Sequence, residues 1–166
     1  MNKEIVDTML SNYRDYLARC EYLDSEIPEL ERLASHMRER MIEDSIHVTQ
    51  TLSDLPHGTD ISDPTGHLAL MFASGGVTDH VRQIEEEIAK KKREREQKKI
   101  SVHFVDAWLK SLNEKEKLLV EKQVIDKLYW REVIRHYENA FGELYSKHAL
   151  KAIRDKALKR IYDVAQ

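Results

Sequence analysis

Apolar side chains recur at alternating steps of four and three residues over more than four heptads near the N-terminus. The series is Met9, Tyr13, Tyr16, Cys20, Leu23, Ile27, Leu30, Ala34, Met37 and Met41. This spacing keeps one stripe of a helix against a partner helix, so it predicts a long, coiled-coil-like amphipathic helix. Because proline cannot donate the helical hydrogen bond, we expect a kink at Pro28 or two helices that meet near Ser25.

A second long helix is predicted from about Thr78, where Val77, Val81, Ile84 and Ile88 continue the spacing. Two arrangements satisfy the first seam, an antiparallel hairpin within the chain or a parallel dimer, and the pattern does not choose between them. Ser, Asp, Pro and Gly crowd the intervening residues 49–76, which predicts a loop that carries a short helix over 67–73. The basic run of residues 90–99 is interpreted as a linker.

The composition favours an all-α fold. The 166 residues are 41% hydrophobic and 34% charged, and they include only 5 Gly and 3 Pro for tight turns. Cys20 is the single cysteine, which excludes an intramolecular disulfide and a multi-thiolate metal site. No window approaches the roughly 18 consecutive apolar residues of a membrane span, and no N-terminal stretch resembles a signal peptide. We therefore expect a cytoplasmic protein that does not enter a membrane.

Shorter amphipathic segments follow from Val102 and predict four short helices. Asn113 and Glu116 have the spacing of a capping box for a helix over 114–127, Gly142 is suited to end a helix, and Ser146 is suited to cap a helix over 147–163. The last helix is expected to pack Leu150, Ile153, Ala157 and Ile161 on Leu118, Val133 and Tyr137. This order is that of a helix-turn-helix module, so we divide the chain into an N-terminal helical region, 1–100, and a C-terminal domain, 101–166.

Charge is distributed unevenly along the chain. Residues 1–63 hold 6 Lys and Arg against 14 Asp and Glu, whereas residues 112–166 hold 12 against 9. Residues 146–162 hold six basic side chains and one acidic, Asp155. Such a local excess can hold phosphates, so the last helix is expected to direct Lys147, His148, Lys151, Arg154 and Lys159 toward double-stranded DNA. Arg131 and Arg135 on the preceding helix are candidate phosphate contacts.

Two segments carry a resemblance to known families. Residues 112–116 (LNEKE) with 146–161, above all 153–161 (IRDKALKRI), resemble region 4 of bacterial sigma-70-type factors. Residues 137–142 with 145–146, together with the upstream segments 55–56 and 62–65, resemble the ArpU/RinA-type late transcriptional regulators of phages in Gram-positive bacteria. The resemblance implies that Ser146 caps the recognition helix and that Lys147, His148, Ala149 and Lys151 read or flank bases. It further implies activation of phage packaging and lysis genes, in a bacterial host cell, through the host RNA polymerase.

Other functions are expected to be absent. The eight His lack the spacing of a zinc helix motif, and no GxSxG, phosphate loop, HExxH or CxxC occurs, so we expect no metal, no cofactor and no enzyme activity. The acidic N-terminal region is expected to contact protein, either a second copy in a homo-oligomer or RNA polymerase. Two alternatives stay open: a DNA-recognition subunit of a packaging machine, and a helical interaction protein that binds no DNA.

Overall fold

The structure is a computed structural model that describes the backbone of residues 1–53 and 76–165 and the side chains of residues 1–43 and 79–165. These residues form six α-helices: α1 (Lys3–Ser11), α2 (Tyr13–Ser53), α3 (Gly76–Lys110), α4 (Glu114–Val120), α5 (Trp130–Phe141) and α6 (Lys147–Val164). A π-helical turn, Glu121–Ile125, extends α4. No strand occurs within the described backbone, which confirms the all-α prediction.

The chain forms two compact units. Unit 1 combines Met1–Tyr22 with Arg95–Gln166, and unit 2 is Leu23–Glu94. This grouping differs from the division of the sequence at residue 100, because the first 22 residues join the C-terminal helices. The physical reason lies in α1, whose Val6, Met9 and Leu10 are buried and supply apolar surface that the C-terminal helices share.

Two hydrophobic clusters hold unit 1 together. The first joins α1 to the end of α3, the π-helical turn and α6, through Val6, Met9, Leu10, Val105, Trp108, Leu109, Leu112, Val120, Ile125, Ala157 and Ile161. The second joins α4, α5 and α6 through Leu119, Val133, Tyr137 and Leu150. The predicted packing of α6 is therefore half right. Leu150 and Ile153 pack with Val133 and Tyr137, whereas Ala157 and Ile161 pack on the cluster that contains α1.

Unit 2 is built on an intramolecular contact between α2 and α3. Leu23, Ile27 and Ala34 of α2 pack with Ile88 of α3. Ion pairs flank this cluster: Lys91 Nζ lies 2.9 Å from Glu26 Oε2, Lys92 Nζ lies 2.7 Å from Glu31 Oε1, and Arg38 contacts Glu85. Because Glu26 pairs with Lys91, whereas Arg38, later in α2, pairs with Glu85, earlier in α3, the two helices run antiparallel. The hairpin alternative is thus the arrangement found within the chain.

The helix boundaries correct several predictions. Helix α2 continues through Pro28 without the expected division near Ser25, and Pro28 is exposed, where water can compensate for the missing hydrogen bond. A break occurs instead at Asn12, between α1 and α2. The predicted loop is wrong at its ends, since residues 49–53 and Gly76 are helical. The predicted short helix over 67–73 lies outside the described residues.

The basic run of residues 90–99, interpreted as a linker, is part of a continuous helix that passes from unit 2 to unit 1 between Glu94 and Arg95. Residues 90–99 are helical, and α3 continues to Lys110 without interruption. Every residue of this run is a good helix former and none is Gly or Pro, so nothing in the local sequence ends the helix. Ion pairs one turn apart, such as that between Glu87 and Lys91, add to its stability.

Candidate nucleic-acid interface

The start of α6 combines a capped helix end with exposed basic side chains. The Ser146 hydroxyl oxygen accepts a hydrogen bond from the Ala149 amide at 3.3 Å, which confirms the predicted N-cap. Lys147 and His148 follow it and are exposed, and the first turn carries no acidic residue. The helix dipole adds partial positive charge at this end, so the first turn of α6 favours an anionic partner such as a phosphate.

The structure places the predicted site residues in three settings. Ser146, Lys147, His148 and Lys159 are exposed on α6, and Arg131 and Arg135 are exposed on α5. Ala149, Lys151 and Arg154 are partly buried. Lys159 lies twelve residues beyond Lys147, about 18 Å along the helix axis at 1.5 Å per residue, and therefore belongs to a different part of the surface.

Trp130 connects the start of α5 to the middle of α6. Its ring centroid lies 5.9 Å from Lys151 Nζ and 5.3 Å from the Arg154 guanidinium carbon. Arg154 also donates to Gln123 Oε1 at 2.8 Å and to Asp155 Oδ1 at 2.6 Å, and its side chain is only 19% exposed. Arg154 was expected to project outward, but these contacts hold it against unit 1.

A buried carboxylate fixes α4 relative to α6. Asn113 and Glu116 form the predicted capping box: the Glu116 amide donates to Asn113 Oδ1 at 2.9 Å, and Glu116 Oε2 accepts from the Asn113 amide at 3.3 Å. The same carboxylate accepts a 2.7 Å hydrogen bond from Arg160. Arg160 counts toward the basic excess of this segment in the sequence, but its guanidinium is occupied inside unit 1.

The segment between α5 and α6 is held by an ion pair and by contacts between aromatic rings. Gly142 ends α5 with φ +66°, as its position in the sequence predicts, and Lys115 Nζ lies 2.7 Å from Glu143 Oε2. The hydrogen bond between them raises the pKa of Lys115 and lowers the pKa of Glu143. Tyr137 contacts the rings of Phe141 and Tyr145 at centroid distances of 4.8 and 5.5 Å. These contacts fix a connection that, at five residues, is longer than the usual helix-turn-helix turn.

Sequence reasoning missed three residues of this site. Lys115 and Glu143 are 28 positions apart, and Gln123 lies 31 positions from Arg154, so no local pattern pairs them. Trp130 carries a usable signal, because it stands directly before Arg131 at the start of a helix, where its side chain can pack in the core or lie near a DNA backbone. Its contacts with Lys151 and Arg154 join residues 21 and 24 positions apart, so the local sequence does not show them.

The two units differ in charge. Unit 1 contains 19 Lys and Arg against 15 Asp and Glu, and unit 2 contains 8 against 15. Two basic residues of unit 2 face acidic partners, Lys91 with Glu26 and Lys92 with Glu31. Attraction for a polyanion is therefore concentrated in unit 1.

Comparisons with known proteins identify no relative of this chain. No protein-family model, no curated protein and no solved structure matches the chain. Within the described residues, no three His, Cys, Asp or Glu side chains are grouped so that they could hold a metal ion. None of the described helices combines the length and the apolar character needed to cross a membrane.

Proposed function

We propose that the chain is a DNA-binding transcriptional regulator that contacts duplex DNA through the first turns of α6 and the start of α5. The observation that carries this proposal is the exposed, capped start of α6 with Lys147 and His148, next to Lys151 and the Trp130 ring of α5. A helix of this kind fits the major groove, where long donors reach base edges and phosphates.

The finer proposal concerns the genes and partners. The resemblance to ArpU/RinA-type regulators and to sigma region 4 supports a phage or prophage activator of late packaging and lysis genes that acts with host RNA polymerase in the bacterial cytoplasm. An in vitro transcription assay with bacterial RNA polymerase and a late-gene promoter tests this part. We expect more transcript when the protein is added, and an unchanged transcript level would contradict activation.

We include homo-oligomerisation through the N-terminal helices in the proposal. Leu33 of α2 is 47% exposed, so apolar surface of this helix remains outside the hairpin contact. Sedimentation equilibrium of the full chain tests this point. A dimer that dissociates when Leu33 is replaced by Glu supports it, and a monomer at all concentrations contradicts it.

The DNA-binding proposal is tested by fluorescence anisotropy with duplex fragments from the genomic neighbourhood of the coding sequence. We expect one fragment to bind about a hundredfold or more tighter than a scrambled duplex. Lys147→Ala and Lys151→Ala should each weaken binding and reduce the slope of log affinity against log salt by about one. Lys110→Ala is the matched control, because Lys110 is an exposed lysine at the end of α3 in the same unit.

The outcomes separate the alternatives. Equal binding to every duplex at physiological salt, or no binding, would contradict a sequence-specific regulator and favour a helical interaction protein. Specific binding combined with ring-shaped assemblies on DNA would instead favour a recognition subunit of a packaging machine.

A further inference from the structure

The Trp130 ring lies against two cations of α6. Trp130 is the first residue of α5 and is partly buried, packed on the second hydrophobic cluster. Lys151 Nζ and the Arg154 guanidinium carbon both lie within 6 Å of its centroid, the range in which a cation is attracted to an indole face. A single side chain of α5 therefore contacts two candidate DNA-binding residues of α6.

The two cations differ in what else they contact. Arg154 donates to Gln123 Oε1 and, through two nitrogens, to Asp155 Oδ1. Lys151 has no hydrogen bond or ion pair with any side chain that the structure describes. Its ammonium group instead contacts the indole ring of Trp130. An ammonium group has three N–H donors, and contact with a ring face leaves donors available. Lys151 is thus held in place while it can still bind an anion.

We propose that Trp130 is the positioning residue of the interface, and that it holds the Lys151 ammonium where a phosphate oxygen of duplex DNA can accept its hydrogen bonds. Lysine has a long flexible side chain, and ordering it opposes binding unless its position is set beforehand. Arg154, fixed by Gln123 and Asp155, supports the same ring from the next turn of α6. This inference rests on the proposed function.

A double-mutant cycle tests the proposal. Affinity for one fluorescein-labelled genomic duplex is measured for the unaltered full chain, Trp130→Leu, Lys151→Ala and the double variant. We expect Trp130→Leu to weaken binding about two- to fivefold, the size of a cation–π contribution. Lys151→Ala should then cost less affinity in the Trp130→Leu background than in the unaltered protein, because the lysine has already lost its support.

Two matched variants separate positioning from a general loss of structure. Lys147→Ala is the control, since Lys147 has no recorded contact with Trp130, and its cost should be the same in both backgrounds. Trp130→Phe keeps an aromatic face on the packed cluster and should restore part of the affinity that Trp130→Leu loses. Circular dichroism at 222 nm checks that each variant is folded before its affinity is compared.

The possible results show whether the positioning role of Trp130 fails alone or together with the proposed DNA-binding function. If Lys151→Ala costs the same in both backgrounds, or if Trp130→Leu tightens binding, the positioning role is wrong and the proposed function stands. If both lysine substitutions lose their effect together in the Trp130→Leu background, Trp130 acts only on the structure of α6, which also overturns the inference. If the unaltered protein binds no duplex at all, the proposed function fails and the inference fails with it.

Discussion

Glu116 is a buried carboxylate whose negative charge is paired with one residue far away in the sequence. Its side chain is 4% exposed, and Arg160, 42% exposed, donates to it at 2.7 Å. We expect Arg160→Ala to lower the free energy of unfolding by about 1–3 kcal/mol, because it leaves the charge in place without its partner. Urea denaturation followed by circular dichroism measures this. Lys156→Ala, an exposed position on the same helix, is the control, and an equal effect of the two variants would contradict the argument.

Tyr13 makes the stability of unit 1 sensitive to alkaline pH. Burial, together with the 2.6 Å hydrogen bond that its hydroxyl donates to Asp106, raises the pKa of Tyr13 to about 12. The ordinary pKa is about 10, so the unfolded chain loses this proton first. Stabilisation by the neutral tyrosine is therefore complete below about pH 10 and is lost as the pH rises toward 12.

We predict that the difference in free energy of unfolding between the unaltered protein and Tyr13→Phe decreases as the pH rises. At pH 8 the unaltered protein should be more stable than Tyr13→Phe, which lacks the hydrogen bond. Between pH 10 and 12 the difference should shrink, because only the protein that retains Tyr13 loses stability from this titration. Urea unfolding of both proteins at several pH values provides the measurement. A difference in free energy of unfolding that is constant or grows over this range would be inconsistent with the Tyr13–Asp106 contact.

Residues that interact locally are the ones that sequence reasoning found. The spacing of Asn113 and Glu116 predicted the capping box, and Ser146 predicted the start of α6, since both interactions join residues three apart. Arg160 is 44 positions from Glu116, and its partner became visible only in the fold. Local patterns therefore identified the helix ends of the candidate site but not the contacts that hold its charged side chains.

Gly142 sets the point at which α5 stops. Its φ of +66° is strained for residues with a Cβ, although an added Cβ would meet no atom within 4 Å. We expect Gly142→Ala to lower the free energy of unfolding by about 1 kcal/mol through backbone strain alone, and Gly142→Asn to cost less because asparagine tolerates the left-handed region. Thermal or urea unfolding of both variants checks this order. Equal costs for Ala and Asn would indicate a cause other than the backbone conformation.

Helix α1 is an integral element of the unit that carries the candidate interface. Leu10 is fully buried in the cluster that also contains Ala157 and Ile161 of α6. Leu10→Ala should destabilise unit 1 by about 2–5 kcal/mol, the usual cost of an emptied core position. Ile5→Ala, at a half-exposed position on the same helix, should cost far less, and urea unfolding compares the two. A negligible effect of Leu10→Ala would argue that α1 does not support α6.

The existence of the helices could be predicted better than the residues at which they begin and end. The heptad series identified α2, and its seam residues Leu23, Ile27 and Ala34 are indeed buried. The break at Asn12 was missed because the series runs through it from Met9 to Tyr13. The π-helical turn at Glu121–Ile125 was also missed; it follows Val120 and ends at Ile125, and both of these side chains are buried in the first cluster.

At the scale of the molecule, the structure separates two groups of lysines that are alike in the sequence. Lys91 and Lys92 lie within 3 Å of Glu26 and Glu31, in a unit with an excess of acidic residues. The hydrogen bond that Lys91 donates to the Glu26 carboxylate is the main cause that raises the pKa of Lys91. Lys147 and Lys151, by contrast, have no acidic partner among the described residues. The first group is neutralised within the chain, whereas the second group remains available to phosphates.

This difference predicts which lysines contribute to the salt dependence of DNA binding, which arises from counterions released from the DNA. Lys91→Gln combined with Lys92→Gln should leave the slope of log affinity against log salt nearly unchanged, because neither lysine neutralises a phosphate. Lys147→Gln combined with Lys151→Gln should reduce that slope by about two. Both double variants remove two positive charges and keep side chains that favour helices, so net charge alone cannot explain a difference between them. Anisotropy titrations between about 50 and 200 mM salt measure both slopes. A loss of about two in the slope of the first variant would place DNA on the hairpin of unit 2 instead.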